Sequence, residues 1–210
     1  MEYIHRFIPS PHDDASRVLL LLHGTGGDED DMVPLGRDLD PAAALLSLRG
    51  NVLENGMPRF FRRLSEGVFD EADVVRRANE LADFIGLAAK QYHFEPDRMT
   101  AVGYSNGANV AAAVLLLRPG TITSAILFRA MVPLNPAVQP NLNGTRALIC
   151  SGNRDPIIPV ENVERLAAML REAGAEISHR FEETSHQLVF SEIETARKWL
   201  RESSRDSNPI

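Results

Sequence analysis

Apolar runs of strand length alternate with longer segments of helical spacing along most of this chain, and that alternation restricts the fold more than any single motif. Continuous apolar runs occupy 17–24, 43–50, 99–105, 124–132 and 146–153. Segment 70–92 repeats apolar residues every three or four positions through Val74, Ala78, Leu81, Ile85, Ala88 and Ala89. Segment 160–173 does the same through Val163, Leu166, Ala167 and Leu170 before Gly174 stops it, and 191–201 carries Ile193, Ala196, Trp199 and Leu200. Strands that are apolar on both faces belong inside a parallel sheet with helices covering each side. The spacing therefore predicts an α/β fold, a mostly parallel twisted sheet with helices on both faces. Residues 176–183 alternate instead, placing Ile177, His179 and Phe181 on one face, and "EYIHRFI" near the N-terminus is a candidate edge strand.

No composition shift or linker divides the 210 residues, so one domain is expected over 1–202, with 203–210 a flexible tail. Every segment between strands except 51–69 is needed for a core helix, which leaves no room for a large cap domain. The net charge of −7 argues against nucleic-acid binding, which needs clustered Lys and Arg. The longest apolar stretch, Ala111–Leu117, is far short of the roughly 20 residues of a membrane helix and reads as the middle of a buried one. The single cysteine, Cys150, permits no intrachain disulfide. The N-terminus lacks the apolar core of a signal peptide, so a cytoplasmic location is expected.

Parallel sheets of this kind bind ligands beyond the carboxyl ends of their strands. At one such end the run 99–105 closes in Gly103-Tyr104-Ser105-Asn106-Gly107, and a buried-helix pattern follows at once. This is the G-x-S-x-G turn, in which flanking glycines let a serine hydroxyl project above the sheet while the first N–H groups of the helix point to the same space. A serine nucleophile needs a histidine base held by a carboxylate, in the chain order Ser, acid, His. The next strand-end acid after Ser105 is Asp155 in "LICSGNRDPIIP", and the loop after the last strand holds His186 in "FEETSHQLVF". His5, His12 and His23 precede the serine, His93 follows a helix, and His179 lies within a strand.

Two N–H groups would meet a developing oxyanion, that of Asn106 and one from the glycine-rich loop "HGTGGDEDD". Here Thr25 is the expected donor, with Gly26 next in line. His23 is expected to brace that loop. The acidic run Asp28–Asp31 lacks calcium-loop spacing and is expected to cap the following helix, so no metal or organic cofactor is called for. In 51–69, read as one long loop, Met57, Phe60, Phe61 and Phe69 either wall an apolar acyl or aryl pocket or pack the segment to the core. Met131, Leu134, Ile157 and Leu188 are further pocket candidates. Arg59, Arg62 and Arg63 are expected to form a solvated charged face rather than to attract an acidic substrate.

The motifs "LLHGTGGDEDD", "AVGYSNGAN", "SGNRDPIIP" and "SHQL" resemble the α/β-hydrolase superfamily, specifically its small carboxylesterase/phospholipase family and the bacterial serine carboxylesterases within it. The resemblance spans nearly the whole chain. It implies hydrolysis of short-chain or aryl carboxylic esters by Ser105, Asp155 and His186, a small-molecule ester as partner, no membrane insertion, and a homodimer. Thr25, Asn106 and Ser185 stand where the thioesterase branch usually has Leu, Gln and Gly. The alternatives are an acyl-thioesterase or lysophospholipase on the same three residues, or a non-catalytic ligand-binding protein with a hydrolase shell.

Overall fold

A computed structural model describes residues 2–12 and 17–203. The chain runs through β1 (His5–Ile8), β2 (Val18–Leu22), α1 (Val33–Leu39) and β3 (Ala44–Leu48). Four short strands follow as two hairpins, β4 (Val52–Glu54) with β5 (Met57–Arg59), and β6 (Arg63–Ser65) with β7 (Val68–Phe69). Then come α2 (Glu71–Tyr92), β8 (Met99–Tyr104), α3 (Asn106–Leu117), β9 (Ser124–Phe128), β10 (Arg146–Gly152), α4 (Val160–Glu172), β11 (Glu176–Glu182) and α5 (Phe190–Ser203).

Seven strands form the main sheet in the order β1-β3-β2-β8-β9-β10-β11. Only the β1 edge is antiparallel, to β3; the other pairs are parallel. Alternate residues of β2 face opposite sides: Leu20 and Leu22 join the core shared with α2, α3 and α4, while Leu19 and Leu21 join Leu39 of α1 and Trp199 and Leu200 of α5. This two-sided burial is why the strand sequences read as unbroken apolar runs. Helix α3 is buried from Asn106 through Leu116, as the Ala- and Leu-rich stretch required.

Two expectations are corrected. The acidic run does not cap α1, whose N-cap is Met32 and receives no side-chain bond. Its charges are taken up by arginines instead: Glu29 pairs with Arg49 at 2.5 Å, and Asp30 pairs with Arg6. Segment 51–69 is not an irregular loop but two hairpins, and Phe60 and Phe61 between them are fully buried in the core. Helix α5 extends through Ser203, and the rest of the expected tail lies outside the described residues.

Candidate active site

Each of Ser105, Asp155 and His186 sits just past the carboxyl end of a strand. Ser105 follows β8 with φ 52° and ψ −111°, a conformation L-residues rarely adopt. Its neighbours permit the strain. A Cβ on Gly103 would lie 2.6 Å from the Ala108 backbone, and one on Gly107 would lie 2.0 Å from the Leu22 carbonyl oxygen. The turn thus brings α3 hard against β8 and β2, which only glycines allow.

Asp155 and His186 arrive from β10 and β11. Asp155 Oδ1 accepts the N–H groups of Ile157 (2.8 Å) and Ile158 (3.2 Å), so its local turn fixes the carboxylate. Its Oδ2 lies 2.7 Å from His186 Nδ1, and His186 Nε2 lies 3.0 Å from Ser105 Oγ. A carboxylate can only accept, so Nδ1 carries the proton and Nε2 is the free lone pair facing the serine hydroxyl. The Asp155 carboxyl is 1% exposed and the imidazole 19%, leaving the base reachable and its anchor dry.

On the other side stands the loop after β2. Gly26 N–H is bound to the Pro58 carbonyl and Gly27 N–H to that of Gly24, so Gly26 is not a spare donor. Among the described residues, the N–H groups of Thr25 and Asn106 carry no such bond. The Asn106 side chain is tied down, its Oδ1 accepting Phe60 N–H at 2.7 Å, and Thr25 Oγ1 accepts from Arg59 Nη1 at 2.6 Å. His23 is buried, accepting Gly50 N–H at Nε2 (2.9 Å) and donating from Nδ1 to the Gly24 carbonyl (2.5 Å). Burial pushes its pKa below the ordinary histidine value, so it braces the loop as a neutral ring.

A cleft of about 260 Å³ opens over these groups, lined by Thr25, Ser105, Asn106 and His186 and walled by Phe69, Met131 and Ile157. Five pocket candidates are not among its lining residues. Phe60, Phe61 and Leu134 are drawn into the core, and Leu188 packs with the α5 side of the sheet. Met57 lies beside Gly26 and is partly exposed. Apolar side chains near strand ends are pulled inward by the same burial that builds the sheet, which periodicity cannot distinguish from lining a cleft. Cys150 is buried, its thiol pushed up to about 12 by desolvation, so it offers no thiolate.

Sequence reasoning missed the groups that hold the histidine loop. Arg129 follows β9 with φ 57°, and its guanidinium is 0% exposed. It makes a bidentate pair with Glu192 of α5 (2.5 and 2.7 Å; carboxylate 1% exposed). Its remaining N–H groups reach the carbonyls of Ser185 (3.2 Å), His186 (3.1 Å), Gln187 (2.5 Å) and Cys150 (3.3 Å). Tyr104 Oη donates to the His186 carbonyl at 3.0 Å. The loop also presses on Gly152, where a Cβ would meet the Thr184 and Ser185 oxygens at 2.4 Å. One signal was available: an arginine inside the apolar run "SAILFRAMV" must be paired if buried.

A parallel sheet carrying a strained serine turn at its carboxyl rim, with the acid and the histidine delivered by later strands, defines a hydrolase of the α/β-hydrolase fold. The family model described as Phospholipase/Carboxylesterase matches residues 4–204, and the chain belongs to that family. It is 50% identical over 189 residues to MhqD of Bacillus subtilis (strain 168), covering 90% of this chain and 94% of that one. The crystal structure of the Bacillus cereus carboxylesterase is similar with TM-score 0.92 and 44% identity, over 96% of this chain and 94% of that one. A carboxylesterase from Mesorhizobium loti is similar with TM-score 0.90 and 32% identity, over 95% and 94%.

Proposed function

We propose that the chain is a serine carboxylesterase acting on short-chain or aryl carboxylic esters through an acyl-enzyme on Ser105. The observation that carries this is the unbroken hydrogen-bonded chain from Asp155 through His186 to Ser105, at 2.7 and 3.0 Å. His186 Nε2 takes the hydroxyl proton as Oγ attacks the ester carbonyl, and Asp155 holds the imidazole and stabilises the imidazolium. The N–H groups of Thr25 and Asn106 receive the oxyanion, each such donor being worth about 2.7–4 kcal/mol in the transition state. His186 then returns the proton to the departing alcohol, and water, activated by the same base, frees the acid. The small cleft volume supports a short acyl or aryl group over a long lipid chain. That the relatives named above include two carboxylesterases supports ester over thioester bonds.

The test is hydrolysis of aryl esters of graded acyl length by the native chain and by Ser105→Ala. The variant is expected to lose about 10⁴-fold or more in kcat, and to lose labelling by a fluorophosphonate probe. Native-like turnover in Ser105→Ala rejects the assignment.

A further inference from the structure

The cleft has polar lining besides Ser105, His186, Thr25 and Asn106. Arg59 and Arg63 both line it, flanking the core-buried Phe60 and Phe61, so both project from a fixed base. Arg59 is 3% exposed, which overturns the expectation of a solvated face for this residue; Arg62, 61% exposed and paired with Asp70, meets it.

The two guanidiniums share one carboxylate. Arg59 Nε lies 3.3 Å from Glu54 Oε2, and Arg63 Nε donates to Glu54 Oε1 at 2.8 Å. Arg59 spends its other bonds on the Phe61 carbonyl (3.2 Å) and Thr25 Oγ1 (2.6 Å). Among the described residues, Arg59 Nη2 and both Nη atoms of Arg63 have no acceptor. Glu66 also lines the cleft, but it is exposed at a hairpin turn and forms no ion pair with either arginine. Burial and the nearby Arg63 charge push the Arg59 pKa down, against the upward pull of Glu54. The planar N–H fork of arginine matches the paired oxygens of a carboxylate.

We propose that Arg59 and Arg63 form an anion subsite, so that the preferred ester carries a carboxylate spaced away from its scissile carbonyl. This rests on the ester-hydrolase reading. The cleft lining then comprises Ser105 with its N–H donors, the apolar Phe69, Met131 and Ile157, and the cationic pair.

Two matched pairs test it, one for each side of the ester. They are 4-nitrophenyl hydrogen adipate against 4-nitrophenyl hexanoate, and 3-acetoxybenzoate against phenyl acetate, the acetates followed by pH-stat. In at least one pair the charged member is expected to have a tenfold or greater advantage in kcat/KM, and Arg63→Gln is expected to bring that ratio close to one. No advantage in either pair, or an advantage untouched by Arg63→Gln, overturns the subsite. If no ester is turned over, the esterase reading fails and the subsite is read by calorimetry. Adipate and benzoate titrated into Ser105→Ala are expected to bind at least tenfold more weakly when Arg63→Gln is added. Equal binding, or none, overturns the proposal.

Discussion

The loop after β11 and the loop after β2 meet Ser105 from opposite sides, and the groups that fix them differ in kind. Residues 185–187 hang by their carbonyls from Arg129, whose charge is matched by Glu192 out of reach of water. Residues 23–27 are held by neutral groups, the His23 imidazole and the Pro58 carbonyl, with Arg59 reaching only a hydroxyl. The first arrangement is costly to assemble and costly to break by halves, because a buried charge left alone is heavily penalised. The second is cheaper, but its key ring stays neutral only while the pH is high enough. His186 and Thr25 therefore sit on supports with different failure modes.

The largest expected effect comes from halving the charged support. Arg129→Met is expected to cost about 3–5 kcal/mol in urea unfolding, since Glu192 is then buried without its cation. Arg129→Met with Glu192→Leu is expected to recover most of that stability. Its kcat on a neutral aryl ester is nevertheless expected to remain at least about tenfold low, because the carbonyls of 185–187 still lack the Arg129 guanidinium. If kcat recovers together with stability, the ion pair supports the fold and not the position of the histidine.

A smaller effect separates the two loops by backbone contact. At Gly152 an added methyl meets the carbonyl oxygens of Thr184 and Ser185, which cannot yield without moving the histidine loop. At Gly24 it meets the Tyr104 ring at 2.8 Å, a side chain rather than backbone. Gly152→Ala is expected to lower kcat by about 10²-fold and Gly24→Ala by about tenfold. The reverse order in steady-state kinetics would show that the oxyanion side is the stiffer one.

The smallest effect is on the neutral support and depends on pH. With its folded pKa depressed by burial, His23 takes up a proton more readily in the unfolded chain. Stability is thus full above about pH 6.5 and declines as pH falls from there toward the folded value. His179, also depressed by burial, adds a contribution of the same sign, so the comparison is between chains. His23→Asn is expected to show a flatter decline between about pH 6.5 and 5 than the native protein in denaturant titrations. Parallel curves would mean that His23 does not carry the acid sensitivity of the oxyanion side.

Much of this molecule is legible without coordinates. The apolar runs mark the strands, because a strand buried on both faces must be apolar throughout. Gly103 and Gly107 mark the turn, because nothing larger fits between β8, β2 and α3. Chain order and strand ends single out Asp155 and His186, and the structure joins Asp155 to His186 and His186 to Ser105 by hydrogen bonds. Such signals are local: each depends on a residue and its near neighbours along the chain.

Which side chains face the cleft, and which groups hold its loops, depends instead on packing in three dimensions. Phe60 and Phe69 belong to one short segment and look alike in sequence, yet one is in the core and the other lines the site. Arg129 and Glu192 are 63 residues apart and meet only because β9 and α5 converge behind the histidine loop. The cleft is assembled from the ends of several strands, so its lining follows from how distant elements pack. Hydrophobic periodicity reports only that a residue is buried, not what it is buried against.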